Sequence, residues 1–180
     1  MGRGERPIRN MFWQLGPNDK GYPGAFPNGF LHRLRATPWW GTDRLHVCSG
    51  SVTDGVTVDI DDGVEPTVVA DGENLPFADE CFDTVLIDPP YSPEEAQQYW
   101  DCDYPAPVKL LREAYRVVEP GGHVLLLHRT ILMFRYRPDD AIRAALVALY
   151  GGGRGPSQLR ALQVLKKPGT QQQRITEVAQ

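Results

Sequence analysis

Residues 82–91 read Phe-Asp-Thr-Val-Leu-Ile-Asp-Pro-Pro-Tyr. Thr84, Val85, Leu86 and Ile87 form a short continuous apolar run, the signature of a strand covered on both faces. That strand cannot continue past Asp88. Neither Pro89 nor Pro90 carries an amide N–H, and each holds its backbone extended, so ladder pairing stops with free carbonyls and a fixed chain direction. The segment reads either as a stiff turn or as a catalytic edge, and the rest of the sequence has to decide between them.

Further strands are expected at Leu45–Cys48, in Gly-Val-Thr-Val-Asp-Ile (55–60, with Val56, Val58 and Ile60 on one side), at 67–71, at 123–128 and at 159–165. Phe30–Ala36 reads as a short helix ended by Pro38. From Pro107 to Val118, Val108, Leu111, Tyr115 and Val118 repeat at helical spacing, with Ala114 and Val117 widening the stripe, and Glu119-Pro120-Gly121-Gly122 stops the helix. After Pro138, Asp139 and Asp140 offer N-caps to a helix carrying Ile142, Ala145, Leu146 and Leu149, ended by Gly151-Gly152-Gly153. Residues 1–30 are expected to be irregular, with 1–20 and 168–180 flexible, and Tyr91–Val108 reads as a loop.

The apolar runs and the helix between the fourth and fifth strands predict an open α/β sheet, in a chain of 180 residues read as one domain. In such sheets ligands bind beyond the carboxyl ends of the strands. The turn Ser49–Ser51, the acids Asp59 and Asp71, and the Asp88–Tyr91 segment then fall on one rim.

Composition excludes several classes. Cys48, Cys81 and Cys102 form no CxxC pair, and His32, His46, His123 and His128 show no ligand spacing, so neither a disulfide framework nor a metal is expected. No apolar run has the length of a membrane span and the start lacks a signal-peptide stretch, so a cytoplasmic location is expected. The formal charge of −4 divides into +4 for residues 1–45, −13 for 46–134 and +5 for 135–180. Any phosphate-binding surface would have to come from the two ends.

A carboxylate at a strand end can accept from ribose hydroxyls (Asp59) or from an adenine amino group (Asp71), and small residues at Ser49-Gly50-Ser51 let backbone approach a ligand. Each acid alone reads equally as a cap or a solvated loop residue. Both GxGxxG and GxxxxGK[ST] are absent, which favours a nucleoside ligand without a phosphate.

These motifs, in this order, resemble the class I S-adenosylmethionine-dependent methyltransferases, and within them the amino-methyltransferases that act on exocyclic nitrogens of bases. The resemblance spans roughly residues 20–165. It is carried by Asp-Pro-Pro-Tyr at 88–91, by ADGENLPFADECFD at 70–83, by LLREAYRVVEPGGHVLLLH at 110–128, and by YPGAFP at 22–27, which is similar to the family's HPAxFP.

It implies a Rossmann-like sheet, mostly parallel with an antiparallel last strand, and S-adenosyl-L-methionine as cofactor. Asp88 and the Pro89 carbonyl would accept from the target amino group, Pro90 would stiffen the turn and Tyr91 would stack on the base. Cys48, Ser49, Gly50 and Ser51 would lie under the cofactor's methionine, Asp59 on its ribose, and Asp71 and Ile60 at its adenine. Phe26 and Pro27 would sit at its carboxylate end. The implied target is N6 of adenine in DNA; an RNA base, a small molecule, or a non-catalytic adaptor role are the alternatives.

Two departures stand out. The family's FxGxG loop is CSGSV here, with Val52 at the second glycine, and only Thr53–Gly55 separate it from the next strand. The first crossover helix is therefore expected to be shortened or missing. No separate target-recognition region is expected, so a partner protein or oligomer would supply recognition. The 91–108 segment holds Glu94, Glu95, Asp101 and Asp103, with the rings of Tyr99, Trp100 and Tyr104 and no Lys or Arg. DNA backbone contacts would fall to Arg129, Arg135, Arg137, Arg154, Lys166 and Lys167.

Overall fold

The computed structural model describes residues 9–17, 25–132, 136, 138, 140–151 and 159–169. Among them eight strands form one sheet: β1 (Arg9–Leu15), β2 (Arg44–Val47), β3 (Val56–Asp59), β4 (Val68–Val69), β5 (Phe82–Ile87), β6 (Val118–His128), β7 (Ile142–Gly151) and β8 (Leu159–Lys166). Their spatial order is β1-β7-β8-β6-β5-β2-β3-β4. Every neighbouring pair is parallel except β6–β8 and β7–β8. The sheet is thus Rossmann-like, with β8 the antiparallel strand. No helix among the described residues is long and apolar enough to cross a membrane.

Alternation along the central strands feeds two cores. Val85 and Ile87 of β5 and Val124 and Leu126 of β6 face helix α3 (Pro107–Val117), which buries Leu110, Leu111, Ala114 and Val117 against them. Leu86, Leu125 and Leu127 face the other way, toward α1 (Phe30–Arg35) and its buried Phe30 and Leu34. Helices on both faces explain why these strands read as unbroken apolar runs. Phe30 has no exposed surface and touches the rings of Trp13 and Phe26. Phe30→Ala is expected to cost about 3–5 kcal/mol, read as a lowered denaturant midpoint.

The first crossover helix is absent. Parallel neighbours β2 and β3 are joined by residues 48–55 alone, where such a connection ordinarily takes a dozen residues or more. Local bonds hold the short link: Ser49 N–H to the Val58 carbonyl (3.1 Å), Val52 N–H to the Ser49 carbonyl (3.0 Å) and Gly50 N–H to Asp59 (2.8 Å). Asp54, at its far end, is clasped by Arg44 (2.7 Å) and by Arg35 of α1 (3.1 Å). Trp40, which follows α1, packs edge-on against buried His46. Residues N-terminal to β2 therefore cover the face where the missing helix would sit.

Four expectations are corrected. Residues 142–151 form strand β7, not a helix. Ala145, Val147 and Leu149 are buried at period two, and pairing with β1 and β8 on either side outweighs a stripe that also fits helical spacing. Asp140 does not cap a helix; it accepts the Tyr115 hydroxyl (2.7 Å), while Asp139 lies outside the described residues. Arg9–Leu15, expected to be irregular, is edge strand β1, burying Trp13 and Leu15 and exposing Phe12. The expected loop after Tyr91 contains helix α2 (Pro93–Trp100). The expected flexible segments at 1–8, 18–20 and 170–180 lie outside the described residues.

Candidate active site

All parallel strands deliver their carboxyl ends to one rim, and the chain order reverses between β2 and β5, the position where open α/β sheets bind ligands. A cleft of about 1720 Å³ opens there. Phe26, Pro27, Cys48, Ser49, Gly50, Ser51, Asp59, Ile60, Asp71, Asp88, Pro89, Pro90 and Tyr91 all line it. Of YPGAFP, residues 22–24 lie outside the described residues.

Beyond β2 the chain turns sharply, with Cys48 at φ 54° and Gly50 at φ 49°, the left-handed region that glycine adopts freely. Asp59 braces this turn. Its carboxylate accepts from the Gly50 N–H (2.8 Å) and from the Asp61 N–H (3.1 Å), leaving further lone pairs for a ligand. Asp71 closes its own turn by accepting from Glu73 N–H (2.8 Å). The following Gly72 lies so close to the core that a Cβ would stand 2.7 Å from Val47 Cγ1 and 2.8 Å from Leu110 Cδ2. Ile60 is 58% exposed, an apolar surface offered beside two carboxylates. Burial pushes the Cys48 thiol well up, with Asp59 and Asp88 adding to it, so Cys48 is an uncharged wall and not a nucleophile.

This donor set fits S-adenosylmethionine. The buried Ser49 hydroxyl has no hydrogen-bond partner among the described residues and lines the cleft. Ten carboxylates line the same cleft against four arginines and lysines, a field suited to a ligand with a sulfonium and an ammonium.

At the other end, Asp88 leaves β5 with its N–H on the Val47 carbonyl (3.3 Å). Its Oδ1 accepts the Tyr91 hydroxyl (2.7 Å). Burial pushes the Asp88 carboxyl up to about 7, opposed by that hydroxyl and by Arg160, and aided by Glu95. Ser92 caps α2 by accepting from Glu95 N–H (3.2 Å), with Pro93 at the first helical position. Glu95 reaches back to accept from Tyr91 N–H (3.1 Å) and pairs with Arg129 (2.6 Å). The Arg129 guanidinium lies 4.9 Å from the centre of the Tyr91 ring. His128 meets that ring edge-on at 5.4 Å. Because His128 Nδ1 accepts from Thr130 N–H (2.8 Å), the ring proton sits on Nε2 and donates to the Tyr104 hydroxyl oxygen (3.2 Å). Burial keeps the His128 pKa low, so this imidazole is neutral.

Sequence reasoning counted Glu95 among acids that repel phosphate; in the fold it is neutralised by Arg129. Two expected backbone contacts are corrected. Lys167 is buried and donates to the carbonyls of Val118 (2.8 Å) and Tyr115 (3.2 Å). Lys166 pairs in register with His123, at the end of the sheet away from the cleft. Arg135, Arg137 and Arg154 lie outside the described residues. The residue that went unnoticed is Arg160, whose Nη1 donates to the Tyr91 hydroxyl oxygen (3.4 Å).

Residues 56–126 match a family described as "Methyltransferase domain". None of the curated proteins matches the sequence. Among solved structures, TrmN from Thermus thermophilus superposes with a TM-score of 0.53 at 22% identity, over 76% of this chain and 47% of that one. This chain thus spans about half of that protein's length. The N-methyltransferase NodS from Bradyrhizobium japonicum gives 0.53 at 12% identity, over 77% and 92% of the two chains. A putative methyltransferase from Bacillus halodurans gives 0.52 at 13%, over 78% and 100%. At these identities the likeness is one of fold. Residues 56–126 are thus similar to a methyltransferase domain, set in a sheet with the fold of these solved methyltransferases.

Proposed function

We propose that the protein transfers the cofactor's methyl group to an exocyclic amino nitrogen of a nucleic-acid base, N6 of adenine in DNA being the leading candidate. One observation carries the reading. Asp88 and the rigid Pro89–Pro90 turn share a cleft with the strand-end acids Asp59 and Asp71.

The bound cofactor supplies an electrophilic methyl on a sulfonium; the chain supplies orientation and charge. Asp88 and the Pro89 carbonyl accept the two amino N–H bonds, which turns the nitrogen lone pair toward the methyl. As nitrogen gains positive charge in the transfer, the Asp88 carboxylate stabilises it more than it stabilises the neutral amine, which is the differential binding that catalysis needs. Tyr91 and the aromatic residues Tyr99, Trp100 and Tyr104 on the same cleft offer faces and edges for a base turned out of its stack. In this reading residues 1–180 act as one domain, and choice of target sequence comes from a partner protein or a second copy.

The test is transfer of labelled methyl groups to pooled DNA and RNA, with mass spectrometry of the nucleosides. Labelled N6-methyldeoxyadenosine is expected, and a labelled RNA nucleoside would rename the substrate. The acidic cleft favours a second reading, a small-molecule amine, which a pool without any labelled nucleoside would support.

Since the step needs Asp88 ionised and its pKa stands at about 7, kcat/KM is expected to fall about tenfold per unit as pH drops below that value. A flat profile between about pH 5.5 and 8.5 would exclude the carboxylate charge from the step.

A further inference from the structure

We propose that Arg160 is a positioning residue for the transfer, holding the Asp88 carboxylate ionised and oriented through the Tyr91 hydroxyl. The proposal rests on the reading of Asp88 as acceptor for the target amine.

The geometry is a directed chain. Arg160, near the start of β8, donates to the Tyr91 oxygen at 3.4 Å, and Tyr91 donates to Asp88 Oδ1 at 2.7 Å. An arginine is always a donor, so the tyrosine oxygen accepts from it and its single proton is directed to Asp88. Each bond polarises the next. Among the described residues nothing bonds the second carboxylate oxygen of Asp88, which leaves it to the target.

Arg160 also stands out among the described cations of the cleft. Arg35 is paired with Asp54, Lys109 with Glu73 and Arg129 with Glu95. Arg160 is paired with no carboxylate among the described residues, and its charge favours the ionised form of Asp88. The other groups around Asp88 cannot replace it. Glu95, from α2, disfavours its ionisation, and its partner Arg129 is spent on that glutamate and the Tyr91 face. From the end of β2 comes Cys48, a neutral thiol. His128 and Tyr104, bonded to each other beside Tyr91, are both uncharged.

The measurement is a carboxyl-carbon NMR titration of aspartate-labelled protein, with the Asp88 signal assigned by its loss in Asp88→Asn. Arg160→Gln is expected to raise the Asp88 midpoint by about one pH unit, the size of effect an opposite charge at this range exerts. Tyr91→Phe should raise it too, by cutting the chain, and Arg160→Met gives the test of the arginine if Arg160→Gln does not fold. Arg160→Lys should restore most of the wild-type midpoint. The acid limb of kcat/KM should move with the titration, which a merely structural role would not cause. An unchanged midpoint in Arg160→Gln overturns the proposal, as does a rate loss uniform with pH. If the midpoint moves as stated and no base is methylated, the coupling stands and the substrate reading fails. If a base is methylated and the midpoint stays, only the Arg160 proposal fails.

Discussion

Asp88→Asn should lower the rate of methyl transfer by about 10²–10³-fold while leaving the affinity for S-adenosylmethionine within about twofold of wild type. The asparagine side chain has the same shape, so the turn at Pro89–Pro90 and the Tyr91 hydrogen bond can persist. Two things change. The charge that stabilises positive nitrogen is gone, and the amide presents N–H donors where the target amine also presents donors. The missing charge acts on the amine as it reacts and lowers kcat, while the opposed donors also weaken binding of the unreacted amine and raise KM. Asp88 is not assigned to the cofactor, so calorimetric titration with S-adenosylmethionine should show a near-normal dissociation constant. A variant that keeps full single-turnover rate would remove Asp88 from the mechanism. One that loses cofactor affinity instead would reassign it to the other half of the cleft.

The second large effect should come from Asp59→Ala, and in the opposite parameter. Asp59 holds Gly50 N–H and Asp61 N–H with one carboxylate, at 2.8 and 3.1 Å. It therefore organises the small-residue turn as well as facing the proposed ribose. Hydrogen bonds to a charged group contribute about 1.5–3 kcal/mol each, so losing the acceptor is expected to weaken cofactor binding by about 10–100-fold. At saturating cofactor the transfer rate should stay near wild type. This chain has no helix after the turn to hold it in place, which makes Asp59 more important here than a full crossover would. An unchanged dissociation constant would move the ribose contact to another acid, Asp61 being next in line.

Much of this was legible along the chain. The apolar run of β5 and the stripe of α3 predict their elements to within a residue, because burial on two faces leaves a clear pattern, whereas β6 begins at Val118, five residues before the expected 123. The missing crossover was legible as a count, since Thr53–Gly55 cannot form a helix. Helix α2 carries its own start signal: Ser92-Pro93-Glu94-Glu95 has the Ser-x-x-Glu form with proline at the first helical position. Strand β7 had no decisive local signal. Its residues satisfy both a helical stripe and a two-residue alternation, and the choice was made by pairing with β8, seven residues further along, and with β1 near the other end of the chain.

The sequence by itself determined the acids, the proline pair and their gathering on one rim of the cleft, because each lies at or just beyond the carboxyl end of a strand whose direction the apolar runs reveal. Arg160 could not be found that way. It lies far from Asp88 in the chain and at the beginning of its strand, not the end. Only the sheet shows that β8 runs against its neighbours. An antiparallel strand brings its first residues to the rim where parallel strands bring their last, and that reversal sets a guanidinium beside the Tyr91 hydroxyl.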